Sequence, residues 1–309
     1  MAGGLSLSGR PEDGRLLLRP VPPFDLAQSL AFLKGFPPLA GDQAFEANRL
    51  VSGGYAQGRP FLARVHQGVA GESLPVEIEW LRGPGSPEVV GQWLTRYLSL
   101  DDDLKPFYRI ARGDPVLAPI VEDLYGYHHV RFPTPFEAAC WAALSQRTPW
   151  QVARGLKQKL VEVAGEVVFA DDARIALFPS PERILSNRLA VEQAIGHRRK
   201  ARTLLAAAEA FLAGDLYELD DEDLADRLQA IWGFGAWSSE FILLRGFGRL
   251  DRIPTSERRL RKAVARLYGL DKPEASEEDL HRLGGRYGDQ VGYWAHYIRG
   301  WADRTAAFF

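Results

Sequence analysis

The sequence predicts an α+β protein, with an N-terminal antiparallel β-sheet region that includes a helix, followed by an all-helical region. Short apolar or alternating runs separated by Gly and Pro turns occupy the first hundred residues. From about residue 134, segments of helical length and period replace them. A chain of 309 residues can form two or three compact domains. The predicted divisions are a flexible N-terminus over 1–13, a mixed region over 14–125 and a helical region over 126–309.

The N-terminal region contains four runs typical of strands. These runs are LLLRP, ANRLVSGGY, RPFLARVHQ and LPVEIEWLRG, and the turns between them include SGG, AQGRP and GPGSPE. Alternation with turn residues indicates an antiparallel sheet. Within it, DLAQSLAFLKGF has helical apolar spacing after Asp25, a suitable N-cap. Helices are also predicted at PEVVGQWLTRYLSL and after DDDLK.

The C-terminal region opens with a clear helix start. Thr134 is followed by Pro135, and Glu137 stands in the first turn. Apolar periodicity then predicts helices within WQVARGLKQKLVEVAG, SPERILSN, HRRKARTLLAAAEAFLAG, DDEDLADRLQAI, WSSEFILLRGF, SERRLRKAVARLYG, SEEDLHRLGGRYG and GYWAHYIRGWADR.

Composition excludes several classes of protein. No apolar run approaches eighteen residues and the N-terminus lacks an apolar signal core, so a cytoplasmic protein without a membrane span is expected. The single cysteine, Cys140, cannot form an internal disulfide or a four-cysteine cluster, and its apolar run favours a core position. The six histidines show no HExxH pattern, so no metal site built from side chains is predicted. The net charge of −2 argues against bulk electrostatic binding of nucleic acid, although residues 197–202 and 258–262 are locally basic.

One segment, LQAIWGFGAWSSEFILLRGFG at 228–248, predicts two helices joined by a tight turn. Glycines on either side of Phe234 permit positive φ and close approach of another backbone. The second helix begins there, and its free N–H groups suit a phosphate of a nucleic-acid backbone. The alternative is a helical corner that needs glycine only for packing. The candidate DNA-binding residues are Gly233, Phe234, Gly235, Ala236 and Ser238.

This segment, extended to LQAIWGFGAWSSEFILLRGFGRLDRIP, resembles the helix-hairpin-helix motif of base-excision DNA glycosylases, most closely the AlkA-type 3-methyladenine DNA glycosylases. TPFEAACWAALSQRTPWQVA, GHRRKARTLLAAAEAFLAG and the N-terminal segments PPFDLAQSLAFL and FEANRLVSGGYAQGRPFLARV also resemble that family. The resemblance covers roughly residues 14–301 and departs at Trp232, where the family usually has Pro. It implies a monofunctional DNA glycosylase that flips alkylated purines of the 3-methyladenine type from duplex DNA and removes them by hydrolysis. The expected partner is duplex DNA containing a damaged base; a monomer with no protein partner is expected.

The resemblance also implies a catalytic carboxylate. In the family an aspartate stands three residues after a proline, and counting from Pro254 reaches Glu257. Cleaving an N-glycosidic bond develops an oxocarbenium-like charge, which a fixed anion stabilises. Alternatively, Glu257 is only a first-turn carboxylate favoured by the helix dipole. A lesion-binding protein with weak chemistry therefore remains open, and so does an RNA-binding helical protein.

The resemblance assigns further residues to the base pocket and to the reaction type. Trp237, Phe241 and Phe32 would line the pocket, because electron-rich rings attract cationic alkylated bases. Gln290 stands where AlkA-type enzymes have another aromatic residue. Relatives that cut the DNA strand have a nucleophilic lysine at the position of Trp237, so no Schiff base is expected here. The single cysteine also excludes the iron–sulfur loop of some relatives.

Two other features follow from the resemblance alone. The wedge that fills the gap left by the flipped base would come from Gln146, Arg147 and Thr148. No cofactor is expected, although the hairpin of the family often holds a monovalent cation, Na⁺ or K⁺. Its ligands here would be the main-chain carbonyls of Gln229, Ile231 and Phe234.

Overall fold

A computed structural model describes residues 14–46, 48–68, 73–214 and 216–305. It confirms the α+β fold, with an antiparallel sheet near the N-terminus followed by helices. The predicted flexible segment 1–13 lies outside the described residues. None of the helices that the structure describes has the length and apolar character needed to cross a membrane.

The five-stranded sheet has the order β1-β5-β4-β3-β2. Its strands are β1 (Arg15–Leu18), β2 (Ala44–Glu46), β3 (Arg49–Ala56), β4 (Arg59–His66) and β5 (Leu74–Trp80). In β5, Val76 and Ile78 are buried and the glutamates between them are exposed, which gives the period of two expected for a sheet with one wet face. The predicted helix α1 (Leu26–Lys34) begins after Asp25, whose side chain accepts a hydrogen bond from the N–H of Ala27 at 2.9 Å.

Helices form most of the remaining structure, and several begin where the sequence predicts. Thr134 accepts a hydrogen bond from the N–H of Glu137 at 3.1 Å and so caps α5. The helices after the sheet are α2 (Pro87–Leu98), α3 (Lys105–Ala111), α4 (Leu117–Asp123), α5 (Pro135–Ser145), α6 (Trp150–Ala164), α7 (Pro181–Ser186), α8 (Arg188–Ile195), α9 (Arg198–Ala213), α10 (Asp221–Ala230), α11 (Ala236–Ile242), α12 (Arg258–Leu267), α13 (Glu277–Gly284) and α14 (Val291–Arg304). A π-helical turn over Leu243–Phe247 extends α11.

The helices and the sheet enclose two main hydrophobic cores. The first joins the sheet to α5 and α9, and the second joins α3 and α4 to α12 and α14. Phe107 of α3 belongs to the second core, where its ring centroid lies 4.8 Å from that of Tyr297. Helices α3 and α4 therefore pack on the C-terminal helices, and the domain boundary predicted at 125/126 falls inside a core.

The C-terminal region is not all-helical, which corrects the prediction for 126–309. It contains a hairpin of β6 (Glu166–Ala170) and β7 (Ala173–Leu177). The hairpin forms there because Ile175 and Leu177 pack on Val51 and Leu62 of the five-stranded sheet. Its other face remains exposed, so the run was too short and too mixed to stand out among helical segments.

A buried lysine joins the sheet region to α5 and α6. Lys157 Nζ lies 2.5 Å from Asp42 Oδ2 and 2.6 Å from Glu137 Oε1, and it donates to the carbonyl of Pro38 at 2.9 Å. Burial alone would lower the pKa of Lys157, but the two carboxylates outweigh it and the pKa is raised. Burial also raises the pKa of Glu137, against the pull of Lys157. This cluster is a fully compensated buried ion group.

Candidate active site

A cavity of about 570 Å³ lies between α1, the hairpin after α10, the start of α12 and one face of α14. It brings together Phe32, Trp237, Phe241 and Glu257, which the sequence analysis had assigned to a single site. Gln290 is not in its lining, because the residue stands at the start of α14, before the part of that helix that faces the cavity. Residues from α14 supply that wall: Gly292, Ala295, His296, Arg299, Gly300, Asp303 and Arg304.

The turn between α10 and α11 has the backbone conformation that its glycines permit. Gly233 has φ +90°, and a Cβ there would lie 2.2 Å from Thr203 Oγ1 of α9. Gly235 has an extended backbone, and a Cβ there would meet nothing within 4 Å. Gly233 is thus required by the fold, whereas Gly235 leaves open space at the N-terminus of α11. Phe234 packs against the first core and Ala236 is exposed.

The predicted wedge segment lies directly against this turn. Gln146 Nε2 donates to the carbonyl of Gly233 at 2.9 Å and to Ser238 Oγ at 3.0 Å. Thr148 Oγ1 donates to the carbonyl of Gln146 at 2.9 Å. Gln146 and Thr148 are therefore engaged within the protein. Arg147 is exposed and has φ +50°, so it is the member of the three that is presented to solvent.

The locally basic segment 197–202 borders the same turn. Trp232 is 37% exposed, and the guanidinium carbon of Arg202 lies 4.1 Å from its ring centroid. Arg199 lies over the same ring at 5.9 Å. The residue that replaces the family's proline is thus an exposed aromatic ring next to two arginines.

Glu257 is the N-cap residue of α12 by position, but its side chain makes no capping hydrogen bond. Its Oε1 instead accepts a hydrogen bond from Arg299 Nε at 2.5 Å. Arg299 also pairs with Asp303. Burial alone would lower the pKa of Arg299, but Glu257 and Asp303 outweigh it and the pKa is raised. The carboxylate is therefore held at the cavity wall by a charge-assisted contact and does not cap the helix.

The aromatic residues of the cavity form two groups. Trp237 is 44% exposed and stacks on Phe241, with ring centroids 5.6 Å apart and an interplanar angle of 19°. Phe32 lies against Phe36 at 4.9 Å. The first group lies beside the hairpin and the second lies deeper, on α1 and the loop that follows it.

The sequence analysis missed the charged and polar residues deeper in the cavity. Arg245 is 9% exposed, and its guanidinium carbon lies 4.7 Å from the ring centroids of both Phe32 and Phe36. Its Nη1 lies 3.1 Å from Nε2 of the buried His129. Burial lowers the pKa of Arg245 to about 10, so the residue stays charged at neutral pH. The only sequence signal was one arginine inside the apolar run FILLRGF.

Two further titratable groups line the same cavity. Burial lowers the pKa of His296 well below its usual range, and the charge of Arg245 adds to the effect. Burial raises the pKa of Glu240, although the Ser256 hydroxyl that donates to it acts in the opposite direction. The cavity thus contains three carboxylates, those of Glu240, Glu257 and Asp303.

Within the described residues, no group of three His, Cys, Asp or Glu side chains could hold a metal ion. The hairpin carbonyls predicted to hold a monovalent cation are neutral oxygens suited to such an ion. One of them, the carbonyl of Ile231, also accepts a hydrogen bond from the N–H of Phe234 at 3.0 Å. The cation stays a prediction of the sequence resemblance.

Comparison with known proteins agrees with this geometry. Residues 140–285, which span α5 to α13, match the model of the HhH-GPD superfamily of base excision DNA repair proteins. The chain belongs to the HhH-GPD superfamily. It is 26% identical over 218 residues to the DNA-3-methyladenine glycosylase of Bacillus subtilis, a match that covers 68% of this chain and 69% of that protein. These similarities support a DNA glycosylase.

Solved structures share the fold along almost the whole chain. A 3-methyladenine DNA-glycosylase from Archaeoglobus fulgidus superposes with a TM-score of 0.77 at 23% identity, over 94% of this chain and 98% of that one. An 8-oxoguanine glycosylase/lyase from Clostridium acetobutylicum bound to double-stranded DNA gives 0.68 at 17% identity, over 95% and 97%. At these identities the likeness shows the fold alone. Both hydrolytic and strand-cleaving enzymes are thus built on related folds.

Proposed function

We propose that this HhH-GPD protein is a monofunctional DNA glycosylase that removes alkylated purines from duplex DNA by hydrolysis. The observation that carries the proposal is the single cavity that contains Glu257 and the stacked pair of Trp237 and Phe241, beside the glycine turn. The names of the Bacillus subtilis and Archaeoglobus fulgidus proteins make 3-methyladenine the first base to assay.

In the proposed reaction the target nucleotide rotates out of the duplex and its base enters the cavity, at a cost of a few kcal/mol. A water oxygen bonds to C1′ of the deoxyribose, the N-glycosidic bond breaks, and the base leaves after taking up a proton. The Glu257 carboxylate stabilises the positive charge that develops on the sugar and orients the water.

Hydrolysis is favoured over a Schiff base by the make-up of the cavity. No lysine occurs among the described residues that line it, and Trp237 occupies the position where strand-cleaving relatives have the nucleophilic amine. The product expected is therefore an abasic site in an uncut strand.

The DNA surface we propose comprises the glycine turn, the exposed Arg147 and the Trp232 ring with Arg199 and Arg202. The open space at Gly235 allows a phosphate to approach the start of α11. The cationic side chains around Trp232 add local positive charge to a protein whose net charge is −2. These contacts would position the duplex without reading its sequence.

The test is base release from methylated duplex DNA, detected as alkali-sensitive abasic sites. Glu257→Gln is expected to lower the single-turnover rate by about 10²- to 10³-fold. Glu257→Asp keeps the charge and is expected to retain activity that Glu257→Gln loses. Glu240→Gln and Asp303→Asn are matched controls, because each removes another carboxylate from the same cavity. A larger loss in either control than in Glu257→Gln would move the catalytic assignment to that residue.

A second candidate function is lesion binding without efficient chemistry. Its specific support is the ion pair between Glu257 and Arg299, which partly neutralises the carboxylate. If the wild-type protein releases no base but binds methylated duplex DNA more tightly than unmodified duplex DNA, this second function is the correct one.

A further inference from the structure

The buried end of the cavity contains a cation whose charge no carboxylate of the protein neutralises. This buried end consists of Tyr127, His129 and Arg245, which are 0%, 1% and 9% exposed. Among the described residues, Arg245 forms no ion pair with a carboxylate; its partners are the rings of Phe32 and Phe36 and the imidazole of His129. A buried charge without a counterion is costly, and natural proteins retain one mainly where a ligand or a reaction uses it.

Two N–H groups at this end are left without partners. Nη2 of Arg245 and Nδ1 of His129 are shielded from solvent and make no hydrogen bond within the described protein. Because a guanidinium only donates, the contact of Nη1 with His129 Nε2 requires that Nε2 accept and that Nδ1 carry the hydrogen. Burial and the Arg245 charge lower the pKa of His129 well below its usual range, which keeps the imidazole neutral. Arg245 and His129 therefore both offer unused donors to a molecule in the cavity.

We propose that this end of the cavity recognises an uncharged purine with a carbonyl oxygen at C6 and a free N7, as in hypoxanthine. The proposal rests on the proposed function and extends its substrates beyond alkylated purines. Arg245 would be the specificity-determining residue and His129 its positioning partner.

The chemistry of the purine edge supports this choice. O6 and N7 of a 6-oxopurine are neighbouring acceptors, and an arginine fork matches them with two hydrogen bonds. A 6-aminopurine presents a donor beside N7, which would face the donors of Arg245 and His129. The guanidinium also repels a purine that carries a positive ring charge, as an N3-alkylated adenine nucleoside does.

The test compares two substrates in single-turnover excision. One is a duplex with one hypoxanthine, and the other is methylated duplex DNA from which released 3-methyladenine is measured by chromatography. Arg245→Met is expected to lower hypoxanthine excision by roughly 10- to 100-fold, the worth of a bidentate contact. Release of 3-methyladenine should stay unchanged or rise, because the repelling charge is gone.

Two other variants separate charge, geometry and folding. Arg245→Lys keeps the charge without the planar fork, so it should lose hypoxanthine excision without gaining 3-methyladenine release. Arg304→Met removes a different, exposed arginine of the cavity and should affect both substrates alike. Binding of each variant to duplex DNA with an abasic-site analogue reports whether the variant is folded.

The possible results distinguish this inference from the proposed function. Equal losses on both substrates in Arg245→Met, or no loss on hypoxanthine, would overturn the inference and leave the glycosylase intact. Release of no base from either substrate would refute the proposed function. Binding then decides the inference: tighter binding of the hypoxanthine duplex than of the matched adenine duplex, lost in Arg245→Met, would support it. Equal binding of the two duplexes would overturn it.

Discussion

The protein buries two cations in opposite ways. Lys157 is 2% exposed and is surrounded by Asp42, Glu137 and the carbonyl of Pro38, whereas Arg245 is 9% exposed and faces two phenyl rings, a histidine and a cavity. The first has every partner it needs inside the protein, so it joins the sheet to the helices. The second keeps unused donors, so its missing partners belong to a ligand. The difference teaches that the partners of a buried charge indicate its role better than burial does.

The same substitution at the two positions tests this comparison most directly. Lys157→Met is expected to lower the free energy of unfolding by about 3–5 kcal/mol, because it leaves the buried Glu137 without a counterion. Urea unfolding monitored by tryptophan fluorescence measures the loss. The double variant Glu137→Gln/Lys157→Met should recover part of it. A loss below about 1 kcal/mol in the single variant would show that Glu137 is neutral in the folded protein.

Acidification tests the neutral histidine beside Arg245. An unfolded histidine binds a proton near pH 6.5, whereas His129 in the folded protein stays neutral at that pH because its pKa is lowered. Acid therefore favours the unfolded state: the contribution of His129 is full above pH 6.5 and is lost as the pH falls below it. The expected slope is about 1.4 kcal/mol per pH unit for one proton.

Other groups also titrate in this range, so the prediction concerns a difference between variants. Burial raises the pKa of Glu240, and such a carboxyl group changes stability with pH in the opposite direction. His129→Asn keeps an oxygen that can accept from Arg245 and removes the titration. Unfolding by urea at pH 7.5, 6.5 and 5.5 should show a shallower decline for this variant. Parallel declines for the two proteins would mean that His129 takes up its proton in the folded state.

The smallest expected effect is on the stability of the Arg245→Met variant. Removing a charge with no counterion offsets the lost contacts with the phenyl rings, which are worth up to about 2 kcal/mol. The free energy of unfolding should therefore stay within about 1 kcal/mol of the wild-type value. A loss as large as that of Lys157→Met would instead assign Arg245 a structural role and remove the contrast between the two cations.

Most of the candidate site could be named from the sequence because its motifs are local. The glycine turn, the carboxylate three residues after Pro254 and the stacked aromatic pair each lie within a short segment, and backbone conformation or helical spacing fixes their relation. Gln290 was misplaced because the cavity faces the middle of α14 and not its first residue. Arg245, His129 and His296 were missed because the sequence separates groups that only packing brings together.

The sequence by itself determined the α+β class, most helix starts and the position of the hairpin, since these depend on periodicity, caps and glycines read over a few residues. Only the tertiary structure decided that α3 and α4 join the C-terminal core, that residues 166–177 form strands and that Glu257 meets Arg299. These outcomes depend on which distant surfaces exclude water from each other and on which buried charges find partners, and no local pattern contains that information.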